Sequence, residues 1–137
     1  MNNSLLAQND ITDPHSEDSR LKVTSMIMTL FQRWEISTSA QLKLLGMKSS
    51  SRAVLSNYRR GDRAIPDDED KLRRAGLLLL IHKCLRLLFP HNPRLIYSWM
   101  KRKNKAFEDK TPLDVISQHG LFGLARVAHY LEFQLVT

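Results

Sequence analysis

WMKRKNKAFEDKTPLDVISQHG, residues 99–120, joins an aromatic helix end to a cationic run, a polar turn and a sharp helix start. Thr111-Pro112 reads as an N-cap followed by proline at the first helical position, where its missing N–H costs nothing. Asp114 then falls at the third helical position, where a carboxylate suits the positive end of the helix dipole. Gly120 closes this helix after about two turns, as a C-terminal glycine does. A stretch this short and charged builds no core of its own. It reads as a surface that the rest of the chain presents.

Working outward, a final helix is expected from about Leu121 to Phe133, with Leu124, Val127, Ala128 and Leu131 at helical spacing. Upstream, Asn92-Pro93 caps a helix whose inward residues are Leu95, Ile96, Trp99 and Met100. Before it, Pro66 opens a long helix with Asp67-Asp68-Glu69-Asp70 in its first turn, running through LRRAGLLLLIHKCLRLL to Phe89. Its second half is apolar nearly all round, as in a central core helix or an oligomer interface. Asp62 to Ile65 is a linker.

Further upstream, Leu21, Met26, Ile27, Leu30, Phe31 and Trp34 form one stripe of a helix that begins at Ser19. A second helix starts among Ser37, Thr38 and Ser39, with Gln41 placed for a capping box on Thr38, and stops at Gly46. After Met47-Lys48-Ser49, a third helix is capped by Ser49 or Ser50 and ends near Arg60-Gly61. Two short helices joined through a glycine and a tight turn follow the helix-turn-helix plan. Residues 1–17 carry Pro14 and three acids (Asp10, Asp13 and Glu17), with Asp18 following directly, show no apolar periodicity and read as a loose tail. No segment alternates as a strand, so the expected class is all-α. The expected organisation is a tail over 1–17, a helix-turn-helix region over 18–63, and a second helical region over 64–137.

At 137 residues the chain is long enough to bury a core, and 42% hydrophobic content lies well above a disordered composition. A net charge of +7 favours a polyanionic partner or an acidic protein face. The single Cys84 excludes an internal disulfide and suits a reducing cytoplasm. The opening MNNSLLAQNDITDPHSED has neither a basic start nor an apolar signal core, and the run from Gly76 to Ile81 is far too short to span a bilayer. A cytoplasmic protein without a membrane partner is expected.

In the third helix, Ser49, Ser50, Ser51, Arg52, Ser56 and Asn57 would lie near base edges, where arginine reads guanine and asparagine reads adenine. Arg59 and Arg60, with Lys43, Lys48 and Arg63, would sit on phosphates. Residues 33–63 hold seven basic and two acidic residues, which favours this reading. A structural helical hairpin with solvated arginines has the same pattern. The run Lys101, Arg102, Lys103, Asn104, Lys105 is either a solvated helix end or an interface, and Phe107 between Trp99 and Pro112 gives it the composition of an interface anchor. Catalysis has little support. The five histidines are scattered without metal-ligand spacing, no phosphate-binding glycine loop is present, and Cys84 lies in an apolar helix. Neither cofactor nor metal is expected, and the chain reads as a non-enzyme.

The order W-x-I, LKLLG-x-x-x-x-S-R, Y-R-x-G, a leucine-rich helix, then W-M-x-x-x-N-x-A-F and T-P-L-D-V-I resembles the Xre/MbcA/ParS antitoxins of bacterial type II toxin–antitoxin modules. The resemblance covers about Met26 to Leu131. Trp99, Asn104, Phe107, Thr111, Pro112, Leu113 and Asp114 match the signature of the family's toxin-binding domain; Leu44, Leu45, Gly46, Arg52, Arg59 and Gly61 match its DNA-binding half. The resemblance implies a homodimer that occludes the active site of a RES-domain toxin, which consumes NAD or uses it for ADP-ribosylation, and that represses its own operon on double-stranded operator DNA. The toxin-binding residues would be Trp99, Lys101, Arg102, Lys103, Asn104, Lys105, Phe107, Thr111 and Pro112, with the loop plugging the toxin sterically and its cations pairing with toxin acids at the rim. Two departures stand out: Glu108-Asp109-Lys110 lacks the family's usual glycine before Thr-Pro, and Tyr58 replaces a more usual tryptophan. The alternatives are a stand-alone repressor whose C-terminal half only dimerises, and a helical adaptor that binds no DNA.

Overall fold

A computed structural model describes residues 13–137. Six α-helices follow one another, with no strand among the described residues: α1 (Glu17–Trp34), α2 (Thr38–Leu45), α3 (Arg52–Arg60), α4 (Glu69–Leu88), α5 (Pro93–Ser98) and α6 (Pro112–Val136). The all-α expectation holds. Of the expected tail, residues 1–12 lie outside the described residues, and residues 13–16 form a turn rather than loose chain. Ser16 caps α1 by accepting a hydrogen bond from the Ser19 amide, so the helix starts at Glu17, two residues before the expected Ser19.

The buried stripe of α1 is Thr24, Ile27, Met28, Leu30, Phe31 and Trp34. Met26, expected inward, is 56% exposed, and Leu21 is only half-buried. Thr24 takes an inward place because its hydroxyl serves two backbones: it donates to the Arg20 carbonyl at 2.6 Å and accepts from the Ile65 amide at 2.9 Å. Arg20 adds a bond to the Ile65 carbonyl at 3.0 Å. The 62–68 connection is therefore tied down on α1, where composition alone suggested a linker.

Ser37, not Thr38, caps α2, and the expected Thr38–Gln41 box does not form; Gln41 donates instead to the Ile36 carbonyl at 3.1 Å. At the other end Gly46 takes φ +68, and the carbonyls of α2 are met by α4. Lys71 Nζ donates to the Gly46 carbonyl at 2.9 Å and Arg74 to the Lys43 carbonyl at 3.3 Å, two cations at the negative end of a helix. Asp70 holds both cations, at 3.0 Å each. Burial raises the Asp70 carboxyl, but hydrogen bonds from Lys71 and Arg74 outweigh it and leave the group below its ordinary range. This cluster fastens the end of α2 to the long helix.

The long helix starts at Glu69 with Asp68 as its cap, a few residues later than Pro66, and ends at Leu88. Ala75, Leu78, Ile81, Cys84 and Leu85 face the core, while Leu87 stays 56% exposed. α4 packs along α6, and α6 also rests on α2. One hydrophobic cluster runs through both halves of the chain, from Ile27 to Leu131. α6 breaks at Gly120 (φ 58, ψ −131), so the two helices expected on either side of this glycine are both present, in one kinked element.

Candidate functional site

Two surfaces carry the residues singled out by sequence. The first is α3. Leu55 and Tyr58 are its buried face, so a tyrosine fills the place of the usual tryptophan with 1% exposure. Ser49, Ser50 and Ser51 do not cap α3 through their side chains; they form a 3₁₀ turn (Ser49–Ser51) that leads into it. Ser49, Ser50, Arg52, Arg59 and Arg60 are exposed, and Ser51, Ser56 and Asn57 are half-buried. Arg59 donates to the Ser56 hydroxyl at 3.3 Å, and Arg60 to the Asn57 side-chain Oδ1 at 2.5 Å and to Asp62 at 2.9 Å. These contacts orient the polar face before any ligand arrives.

The second surface surrounds the 99–120 stretch. A 3₁₀ turn (Trp99–Lys101) ends α5, and a second one (Lys105–Phe107) lies in a tight loop closed by an antiparallel bridge between Asn104 and Lys110. The Asn104 side chain caps this turn by accepting from the Ala106 amide at 2.9 Å, and its carbonyl accepts from the amides of Phe107 and Asp109. The chain reverses through Glu108 (φ 59) and Asp109 (φ 63), two left-handed residues that do the work of the missing glycine. Thr111 and Asp114 then form the full capping box: the Asp114 amide donates to the Thr111 hydroxyl at 3.0 Å, and the Thr111 amide to the Asp114 carboxylate at 3.3 Å.

The aromatic residues of this stretch are internal. Trp99 is 8% and Phe107 2% exposed, and Pro112 is buried as well. Trp99 stacks on Tyr130 at 6.4 Å, and Phe107 meets Tyr130 edge-on at 5.1 Å. Trp99, Phe107 and Pro112, expected among the toxin-binding residues of the plugging loop, form the platform beneath that loop and present little surface of their own. Thr111 and Asn104, half-buried, shape the loop rather than face outward freely. Lys101 is exposed but donates to the Glu35 carbonyl at the end of α1 at 3.2 Å. Arg102 leans on the Ser98 hydroxyl at 2.9 Å. Lys103 and Lys105 are exposed, with no ion pair to either among the described residues.

Sequence reasoning missed a stripe of α6 that completes this surface. Phe122, Arg126 and Tyr130 stand at successive i, i+4 positions, a spacing that puts them on one helix face. Arg126 places its guanidinium 5.2 Å from the Phe107 ring centroid and donates to the Ala106 carbonyl at 3.3 Å. Lys110 reaches Gln118 at 2.9 Å. The loop and the kinked helix thus share one cationic face.

Residues 84–132 match the antitoxin Xre/MbcA/ParS C-terminal toxin-binding domain. This part of the chain is similar to the toxin-binding domain of the Xre/MbcA/ParS antitoxins. The matched domain runs from the last turns of α4 through the loop to the far end of α6, so it contains the whole cationic face. A protein of Sinorhizobium fredii (strain NBRC 101917 / NGR234), described as uncharacterized protein y4oB, is 29% identical over 124 residues, spanning 90% of this chain and 92% of its own length. No solved structure matches.

Other chemistry has little footing on these surfaces. Among the described residues no group of three or more histidine, cysteine or acidic side chains could hold a metal ion, and no helix is long and apolar enough to cross a membrane. Burial and the charge of Glu132 push the Cys84 thiol up, away from a reactive thiolate.

Proposed function

We propose that the chain is the antitoxin of a type II module, neutralising a RES-type toxin that consumes NAD or uses it for ADP-ribosylation, and repressing its own operon. The observation that carries the reading is the toxin-binding domain match over residues 84–132, which embraces the exposed cationic loop and the aromatic platform beneath it. With Trp99 and Phe107 inside, occlusion of the toxin's active site falls to the rigid outer face: Arg102, Lys103 and Lys105 pair with toxin acids, and the loop's bulk denies access to the substrate. The same division of labour assigns residues 18–63 to operator DNA. There Arg52 reads a base edge from the start of α3, with Arg59 and Arg60 on phosphates. Helices α2 and α3 sit against the core in the helix-turn-helix order, which supports this assignment. Self-association is part of the proposal, since a two-fold dimer presents two recognition helices to a pseudo-palindromic operator.

The test is genetic and simple. Expression of the neighbouring reading frame's product alone should arrest growth, and co-expression of this chain should restore it. Charge reversal of Arg102, Lys103 and Lys105 to glutamate should abolish the rescue while leaving DNA binding intact. Full rescue by the triple variant would remove the loop from the toxin interface.

A further inference from the structure

We propose that Phe122 is the aromatic anchor of the complex, entering an apolar pocket with an acidic rim on the toxin. The inference rests on the antitoxin reading and names the residue through which that surface binds. Phe122 is 86% exposed, the highest exposure of any large hydrophobic side chain described, and its ring contributes next to nothing to the core. A phenyl ring held in water inside a domain whose task is binding is a ring kept for a partner.

The helix geometry fixes where the ring points. Gly120 breaks α6 with a backbone conformation close to the region that only glycine populates, and the chain re-enters a helix immediately after it. Gly123 then lies so close to the preceding turn that a Cβ would stand 2.5 Å from the Val115 carbonyl oxygen and 2.9 Å from the Ile116 Cα. Phe122 sits between these two glycines, on a corner of backbone packed against backbone. A ring presented from such a corner needs little ordering of backbone on docking.

Charge identifies the partner's chemistry. Phe122 borders a shallow cleft of about 200 Å³ with His119, Gly123 and Arg126. Arg126 reaches the loop at Ala106, and Lys110 reaches the helix at Gln118, so the ring adjoins the cationic loop. With Glu108 and Asp109 set against Arg102, Lys103, Lys105, Lys110 and Arg126, the face remains net positive. A second copy of the chain is a poor occupant, because a two-fold contact here would bring the same cations together. Phe133 and Val136, also exposed, lie beyond the matched segment and away from these cations in the chain.

Titration calorimetry of the purified chain with the purified product of the neighbouring reading frame tests this, together with light scattering for self-association. Phe122→Ala should raise Kd by about thirtyfold or more, the loss expected for a central aromatic anchor. Its melting curve and self-association should match the native chain, and Phe133→Ala should bind the toxin as the native chain does. Equal affinity of Phe122→Ala and native chain overturns the anchor and leaves the antitoxin reading standing. Affinity lost only together with self-association, or lost equally in Phe133→Ala, also overturns it. No binding by the native chain overturns the antitoxin reading, and the anchor with it.

Discussion

Replacing Gly120 by alanine separates a kinked α6 from a continuous one by the sign of its effect. At φ 58 and ψ −131 an alanine is strained, yet a Cβ there would meet nothing within 4 Å. The cost is therefore purely conformational, about 2 kcal/mol, which for a chain of this size lowers Tm by about 5–10 °C. Gly76 supplies the control. It lies inside α4, exposed and with nothing within 4 Å, so Gly76→Ala should stabilise by about 0.5–1 kcal/mol through helix propensity alone. Gly123→Ala should be destabilising for a different reason, since its Cβ would press on the Val115 carbonyl and must push backbone apart. Thermal melts followed by circular dichroism, with urea titrations to check the slope, read all three. If Gly120→Ala is stabilised like Gly76→Ala, the helix runs straight through position 120. The corner that presents Phe122 would then not exist.

Three further outcomes follow from named contacts. Arg52→Ala with Asn57→Ala should weaken operator binding by about 2–6 kcal/mol in a gel-shift titration, from two base contacts worth about 1–3 kcal/mol each; equal affinity of the native chain for operator and random DNA would sink the recognition helix. Asp109→Gly should stabilise the chain by about 1 kcal/mol by relieving a left-handed aspartate, and an unchanged or lowered urea midpoint would contradict that account. Burial, and then the charges of Arg86 and Arg33, hold the His82 imidazole below its ordinary value of 6.5. The unfolded chain therefore takes up a proton first as pH falls, so stability present above pH 6.5 is lost as the pH drops through the folded value. His82→Gln should flatten that loss between pH 7.5 and 5.5, relative to the native chain. His15 contributes with the opposite sign, because its hydrogen bond to Asp67 and then that group's charge raise it, and its contribution is present in both chains.

Much of this architecture was legible in the chain. Thr111-Pro112 announced the cap and first turn of α6, and Gly120 announced a stop, because caps and glycines act over one turn and need no tertiary information; that Asp114 closes a capping box was not foreseen. The failures share one cause. Met26 fitted the apolar stripe of α1 as well as Met28 did, and only the position of the neighbouring helices decides which of the two flanks of Ile27 turns inward. Thr24 is buried because a backbone amide forty-one residues away needs an acceptor, which no local pattern encodes. At the site the same limit had a larger effect. Trp99 and Phe107, flanked by charge, had the composition of interface anchors, but Tyr130 and Arg126 from the last helix close over them. Phe107→Ala would therefore remove a core ring at a cost of about 3–5 kcal/mol, and would report on folding before it reported on binding. Phe122 escaped notice for the complementary reason: next to Gly120 and Gly123 it looks like any apolar residue at a helix start, and only the kink turns it outward.

The most direct test of the account is whether this chain and the neighbouring reading frame's product emerge as one stoichiometric complex when only one of them carries a tag. The account predicts a stable complex in which the toxin's NAD-consuming or ADP-ribosylating activity is silent, with growth arrest when this chain is withheld. Two separate proteins, with the partner's activity unaffected by excess antitoxin, would contradict it.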